Sequence, residues 1–471
     1  MQSRKPLAKL STHSPILRLA NELLQKIACY LPTDRDVLHF SQSCKDMWAK
    51  VFAGESAVWR DRFGRHYDTP RGKTYKELKA EYMTRAIVLN GEISFKEEEN
   101  DRQYLWMEVI QTMFKEAVTL PMKPTASKTV AILKETLKKV NFLRLPEPEN
   151  PGTSSPLFYA LQLCLTAFAL DLQVTEPCRR TDYDIQTIYS IEKSNVLSGD
   201  SEEDEFDNES QQSNESEFPP FEDGSENSFE DVSKSATHEP FIDHKNLNLA
   251  KLLQFRSFWQ RHLLNTVEYT FQESFCALSE DFRPKVRKDD PNDTKLSSSW
   301  MGYYSCIHST QIHPVQPRSI TLRELRDRQT CADGESHIEE VEVMTLDLEH
   351  RPDLFWPEEC KTIAPLAEVP DAKRVAFDGK QGSYGNEDSN LVFGFTEDID
   401  VAHGGFSGWK RICFTICENV PQQDSPHLSP GTDGWVHIYE AVIIPGGRIM
   451  LGRWVDLKEP WAKGPFIFWD V

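Results

Sequence analysis

Apolar residues change their spacing partway along the chain, and that change constrains the fold more than any other feature. Up to about residue 275 they recur every three or four positions. From Trp300 onward they gather in short runs broken by Gly, Pro, Asn and Asp. The first spacing argues amphipathic helices, and short runs between turn residues argue strands. Seven of the eleven Trp lie between Trp300 and Trp469, so the large aromatic side chains weight the β part. The expected fold class is α+β and multidomain: an N-terminal three-helix module, an α-helical linker domain and a C-terminal antiparallel β-barrel or sandwich.

The helical spacing is clearest over Tyr75–Leu89, Arg102–Val118, Ser127–Leu145 and Pro156–Val174. A longer run, His244–Phe275, carries a stripe of Leu249, Leu252, Leu253, Phe255, Trp259, Leu263 and Val267, which reads as core packing. Between these helical stretches lies a segment of another kind. Gly199–Asp231 holds fourteen Asp or Glu and no Lys or Arg. It has too little apolar surface to offset its ordering entropy and is expected to be disordered. Of the net charge of −21, this window accounts for −14, which leaves −7 for everything else. It reads first as a solvating linker; the alternative is a regulatory tail, since Ser201 and Ser228 precede acidic residues, a pattern suited to acidic-directed kinases.

An acidic chain of this kind disfavours a general phosphate-backbone binder or an anionic-membrane binder, since both need clustered Lys and Arg. Neither nucleic acid nor a membrane is an expected partner. No secretory signal is visible in residues 1–19, and Leu157–Leu170 is too short and too interrupted to span a bilayer. Ten cysteines from Cys29 to Cys417, with no CxxC pair, argue against a disulfide framework or a zinc ribbon. A cytoplasmic or nuclear location, reduced thiols and no cofactor are the expectations.

In the β half, 437–444 and 448–454 flank Pro445-Gly446-Gly447, a hairpin signal, because Pro presets one turn dihedral and Gly accepts a positive φ. Arg411–Cys417, which alternates apolar and polar only in part, reads as a further strand.

The N-terminal segment is the most informative. Leu23, Ile27, Tyr30 and Leu31 share one helical face, opened by Asn21 as a cap and closed by Pro32. Thr33 and Asp36 have the spacing of a capping box. Val37, Phe40, Cys44, Met47 and Trp48 form a second stripe, and Ser56 caps a third helix bearing Trp59 and Phe63. Three such short helices have little core of their own and must pack on something else.

Leu19-Ala-Asn-Glu-Leu-Leu-Gln-Lys-Ile-Ala-Cys-Tyr-Leu-Pro32 resembles the opening "LPxELLxxILxxLP" of the F-box family. Asp36-Val-Leu-His-Phe-Ser-Gln-Ser-Cys-Lys-Asp-Met-Trp48 is similar to the family's "DLLxLSxVCKxW", and Val58-Trp59-Arg60 to its closing "LWR". Ala20 departs from the family's usual Pro, and the loop at Thr33–Arg35 is slightly longer. The resemblance implies an adaptor-docking module of an SCF-type cullin–RING ubiquitin ligase, with a Skp-family adaptor, a cullin and a RING subunit as partners. The residues carried over to adaptor binding are Leu19, Leu23, Leu24, Ile27, Leu31, Val37, Leu38, Cys44 and Trp48.

The β half resembles the lipocalin-like barrel carried by some fungal F-box proteins. The carrying residues are Trp300-Met-Gly-Tyr-Tyr304, Gly434-Trp435, the stretch Tyr439–Trp454 and Gly464–Trp469. The resemblance implies that this barrel presents an unidentified protein substrate. The expected organisation is an F-box over 14–63, a helical linker domain over 64–195, an acidic disordered insertion over 196–240, a helical continuation over 241–295 and a β-barrel over 296–471.

For substrate, the residue types suggest Trp409 and Trp435 as anchors and Arg411 and Arg453 as carboxylate grips at a barrel mouth. Taken singly, each reads first as a core Trp or an ordinary strand or rim Arg. Cys306, His308, His313 and Cys331 match no regular zinc spacing. Gly379–Gly385 lacks the ending of a phosphate-binding loop and reads as a plain loop. His403-Gly-Gly-Phe406 faintly resembles an esterase oxyanion motif, but no G-x-S-x-G elbow accompanies it. Arg283–Lys288 has the basic character of a nuclear import signal or a solvated linker. The functional expectation is therefore a non-catalytic substrate-recognition subunit. The alternatives are an interaction scaffold outside degradation and a barrel that binds a small ligand.

Overall fold

The architecture was established from a computed structural model of the chain. It describes residues 14–52, 56–70, 72–95, 100–119, 127–144, 154–179, 182–189, 242–243, 246–267, 269–286, 296–305, 343–353, 355–366, 374–384, 389–418, 434–446, 448–460 and 462–471. The acidic window at 199–231, the Cys306/His308/His313/Cys331 group and the end of the basic run at 287–288 lie outside the described residues.

Four short helices come first: α1 (Asn21–Tyr30), α2 (Asp34–Gln42), α3 (Lys45–Val51) and α4 (Ala57–His66). Asn21 is the first helical residue rather than the cap; extended Ala20 holds the cap position without a side-chain bond. Thr33 and Asp36 do form a reciprocal capping box on α2. The stripe from Val37 to Trp48 is split between two helices, because Cys44 is extended and its Sγ caps α3 by accepting from the Met47 N–H. Ser56 caps α4.

The helical body follows as α5 (Tyr75–Asn90), α6 (Asp101–Thr119), α7 (Lys128–Val140), α8 (Pro156–Cys164), α9 (Thr166–Ala169), α10 (Ile185–Tyr189), α11 (Leu249–Leu264) and α12 (Tyr269–Ala277). The run at 156–174 breaks at Leu165, and the run at 244–275 breaks at Asn265, whose extended backbone ends α11. Val267 consequently sits in a link and is 71% exposed instead of joining the stripe.

Most of helix α11 is buried, including the polar residues Arg256, Ser257 and Gln260. A helix threaded through a core must satisfy those groups internally. Arg256 does so in part through the Leu143 carbonyl and Gln162 Oε1, each at 3.0 Å, and Gln260 Nε2 donates to Thr175 Oγ1 at 3.1 Å, while Arg256 Nε and Gln260 Oε1 have no partner among the described residues.

Eight strands then close a barrel: β1 (Ser299–Tyr304), β2 (Met344–Arg351), β3 (Val375–Ser383), β4 (Ser389–Asp398), β5 (Lys410–Cys417), β6 (Val436–Ile444), β7 (Ile449–Asp456) and β8 (Lys463–Asp470). Each pairs antiparallel with its neighbour in sequence, and β8 returns to β1 in the register Phe468 opposite Gly302. This closure decides between the barrel and the sandwich and leaves no open edge. Gly379–Ser383 belongs to β3, so most of the expected loop is strand. A Cβ at Gly379 would lie 1.9 Å from the Asp347 carbonyl, and glycine admits that approach.

Strand alternation sorts the barrel side chains into two sets. The lumen takes Trp300, Leu346, Phe377, Val392, Phe414, Tyr439, Met450, Trp454, Phe466 and Phe468. The outer wall takes Met301, Tyr303, Val442, Ile449, Leu451, Ile467 and Trp469, and these join the helical residues in one continuous core that reaches back to α1. Trp469 donates to the Phe282 carbonyl at 2.7 Å, and Tyr303 meets Ser274 of α12 at 3.0 Å. A further short helix, α13 (Glu358–Lys361), covers another part of the outer wall with Cys360 against Phe395 and Cys413.

Candidate functional site

Two places gather the residue types that recognition requires. The first is the surface of α1, α2 and α3. On the inner side Leu24, Ala28, Val37, Met47 and Val51 are buried, packed with Val58, Trp59 and Phe63 of α4. Arg62 of α4 ties the module together, bonding Asp34 at 2.7 Å and the Leu31 carbonyl at 2.9 Å. Tyr82 of α5 donates to the same Asp34 at 2.8 Å. Arg85 of α5 then pairs with Glu81 and with Glu116 of α6, and Lys73 pairs with both carboxylates.

The outer side is apolar as well. Leu19, Leu23, Ile27 and Tyr30 follow one face of the first helix and its entry, with Leu23 52% and Tyr30 72% exposed. Leu38 of α2 and Trp48 of α3 are also exposed, and Trp48 stacks on Phe52 at 4.1 Å. Of the nine residues assigned to adaptor binding, Leu19, Leu23, Ile27, Leu38 and Trp48 are therefore exposed. Leu31 and Cys44 are half-buried, and Leu24 and Val37 are in the core. An amphipathic helix that packs on its own chain has a polar outer face, so apolar residues on both faces set this module apart.

The second place is the mouth of the barrel at the C-terminal end of β1 and β7. Alternation sends Trp435, His437, Trp454, Asp456 and Tyr304 toward the lumen. The His437 ring lies 4.4 Å from Trp435 and 4.6 Å from Trp454, and Tyr304 meets Trp454 edge-on at 5.4 Å. His437 Nε2 is 3.2 Å from Asp456. Burial works against ionisation of Asp456, but the His437 bond and the N–H groups of Glu459 and Lys458 outweigh it and hold the carboxyl below its usual range. Trp454 is fixed by donating to the Ser305 carbonyl at 2.9 Å. Tyr304 is 38% exposed, and Trp435 and His437 are half-buried, so the rings face an opening. Deeper in, Phe414 stacks on Tyr439 at 4.6 Å and reaches Phe466 across the lumen at 5.9 Å.

The four residues expected at this mouth do not converge there. Trp435 does line it. Trp409 is buried against the helical body, donating to the Phe406 carbonyl at 3.0 Å. Arg411 and Arg453 lie on the outer wall, because their parity along β5 and β7 is opposite to that of Phe414 and Trp454. Both are bonded to Glu440, Arg411 at 2.7 Å and Arg453 at 3.3 Å. These arginines are spent on a buried ion network. Sequence reasoning missed Tyr304, His437, Trp454 and Asp456, although counting outward from the turn at Gly446 already sets His437 opposite Asp456. The missing step was knowledge of which face forms the lumen.

Among the described residues, no group of three or more His, Cys, Asp or Glu side chains is placed to hold a metal ion, and no helix is long and apolar enough to cross a membrane. No protein-family model matches the chain, and no match is found among curated proteins or solved structures. What the fold itself defines is an α+β protein in which a helical body carries a closed eight-stranded antiparallel barrel.

Proposed function

We propose that the chain is a substrate-recognition subunit of an SCF-type cullin–RING ubiquitin ligase. In this reading α1–α3 dock a Skp-family adaptor and the barrel end of the molecule presents the substrate. The observation that carries it is the exposed set Leu19, Leu23, Ile27, Leu38 and Trp48, which falls on the same positions as the F-box-like sequence pattern. Exposed aliphatic and aromatic side chains on a supported helical surface supply what the dry centre of an interface needs. The chain then acts by proximity, and ubiquitin transfer is catalysed by its partners.

The test is a pull-down of the purified chain with a Skp-family adaptor, beside a Leu23→Asp/Ile27→Asp double variant whose fold is checked by circular dichroism. Both positions are exposed, so the variant is expected to stay folded and lose the adaptor. An adaptor that ignores the wild-type chain, or binds both forms equally, overturns the proposal. A second reading, a small ligand taken by the barrel, rests on the aromatic mouth around His437. The rings that meet across the lumen confine such a ligand to that mouth.

A further inference from the structure

The loop between β4 and β5 makes a tight turn whose geometry has no role in either reading above. His403 and Phe406 exchange both backbone hydrogen bonds, at 2.9 and 3.0 Å. The two residues between them, Gly404 and Gly405, have φ of +55° and +77°, as the primed turns require. The tip is inserted between α6 and α8. Gln111 of α6 donates to the Gly404 carbonyl at 3.1 Å, and Lys115 to the Gly405 carbonyl at 2.7 Å. A Cβ on Gly404 would come within 2.3 Å of the Pro156 carbonyl on α8. Phe406 packs on Phe114, with the Lys115 ammonium 5.1 Å from its ring.

His403 is held edge-on to Trp409, with ring centres 6.5 Å apart. Its Nε2 is buried and has no hydrogen-bond partner among the described residues. Among the described residues, the α6 side chains bonded to the turn are neutral Gln111 and cationic Lys115, and α8 contributes neutral Pro156 and Ala160. The loop's own carboxylates, Asp398 and Asp400, are exposed, and Asp398 pairs with Lys410 at 3.6 Å. Among the described residues, the closed turn thus offers no acceptor to a proton on Nε2.

We propose that the His403–Phe406 turn is an acid-releasable latch: it sits between α6 and α8 while His403 is neutral and leaves that cleft when His403 is protonated. Burial also holds the imidazole below its ordinary value, which agrees in sign. A histidine depressed in the closed state stabilises closure fully above its ordinary range, and that contribution is lost as pH falls through it. With an ordinary value near 6.5, a drop from about pH 7.5 to about pH 5.5 raises the open fraction by up to about tenfold.

The experiment is hydrogen exchange of the full-length chain at these two pH values, each amide being referred to its intrinsic rate. The His403 and Phe406 amides are expected to lose protection severalfold at the lower pH, while the α11 amides do not. In His403→Phe, which keeps a ring against Trp409, the pH response disappears. In Gly404→Ala the turn is open at both pH values. Unchanged protection of these amides in the wild-type chain overturns the proposal whether or not either variant folds, and so does an equal response in His403→Phe.

Discussion

Replacing Glu440 tests how the outer wall of the barrel is held. Its carboxylate accepts from Arg411 Nε at 3.1 Å and Nη2 at 2.7 Å, and from Arg453 Nη2 at 3.3 Å. The side chains of Glu440 and Arg411 are 1% and 2% exposed, so water cannot replace a lost partner. Glu397 is the other carboxylate, 3.6 Å from Arg411 and already bonded to Arg374 at 2.5 Å. Glu440→Gln keeps the shape and removes the charge, leaving three arginines around one carboxylate. Removing one partner of a buried pair costs about 3–5 kcal/mol, and a unit pair at about 4 Å in an effective dielectric near 20 gives about 4 kcal/mol. Urea unfolding followed by tryptophan emission measures this as a shift in midpoint at constant slope. The double replacement Arg411→Met/Glu440→Leu removes both charges and is expected to cost less than Glu440→Gln alone. A loss below about 1 kcal/mol for Glu440→Gln, or a double variant whose cost equals the sum of its singles, refutes the argument.

Three further outcomes are expected. Leu24→Ala, at a fully buried position, should cost about 2–5 kcal/mol in urea unfolding, whereas exposed Leu23→Ala should stay within about 0.5 kcal/mol of wild type; equal costs would invert the assigned faces of α1. Asp456 is held below the usual carboxylate range, so its contribution is present above about pH 4 and is lost as pH falls through the depressed value; the stability gap between Asp456→Asn and wild type should shrink in acid, and a gap that widens there contradicts the His437 pairing. Gly302→Ala puts a methyl 2.0 Å from the Ile467 carbonyl at the β1–β8 closure, so the variant should lose protection in β1 and β8 amides, and unchanged exchange there would count against this seam.

Particular elements show where sequence logic carried through. Thr33 and Asp36 sit three apart, and that spacing alone specifies the box that starts α2. Pro445-Gly446 turns β6 into β7, with Gly446 at φ +71°. These features are local: the atoms that decide them lie within a few residues of one another. The break at Cys44 was less legible, because a cysteine sulfur as an α3 cap is a weak and uncommon signal.

Sequence by itself determined the helix-then-strand order, the β6–β7 hairpin and the apolar character of α1. Only the tertiary structure decided which of two apolar faces is inside. Leu23 and Leu24 are chemically identical neighbours, yet one is half exposed and the other fully buried. Trp435 and Arg453 were grouped by residue type, but closing the barrel put one at its mouth and the other on its wall. Periodicity fixes which side chains share a face. Which face meets the core depends on the long-range contacts of β8 with β1 and of the barrel wall with α11 and α12, separated by many residues along the chain, and no local pattern encodes them.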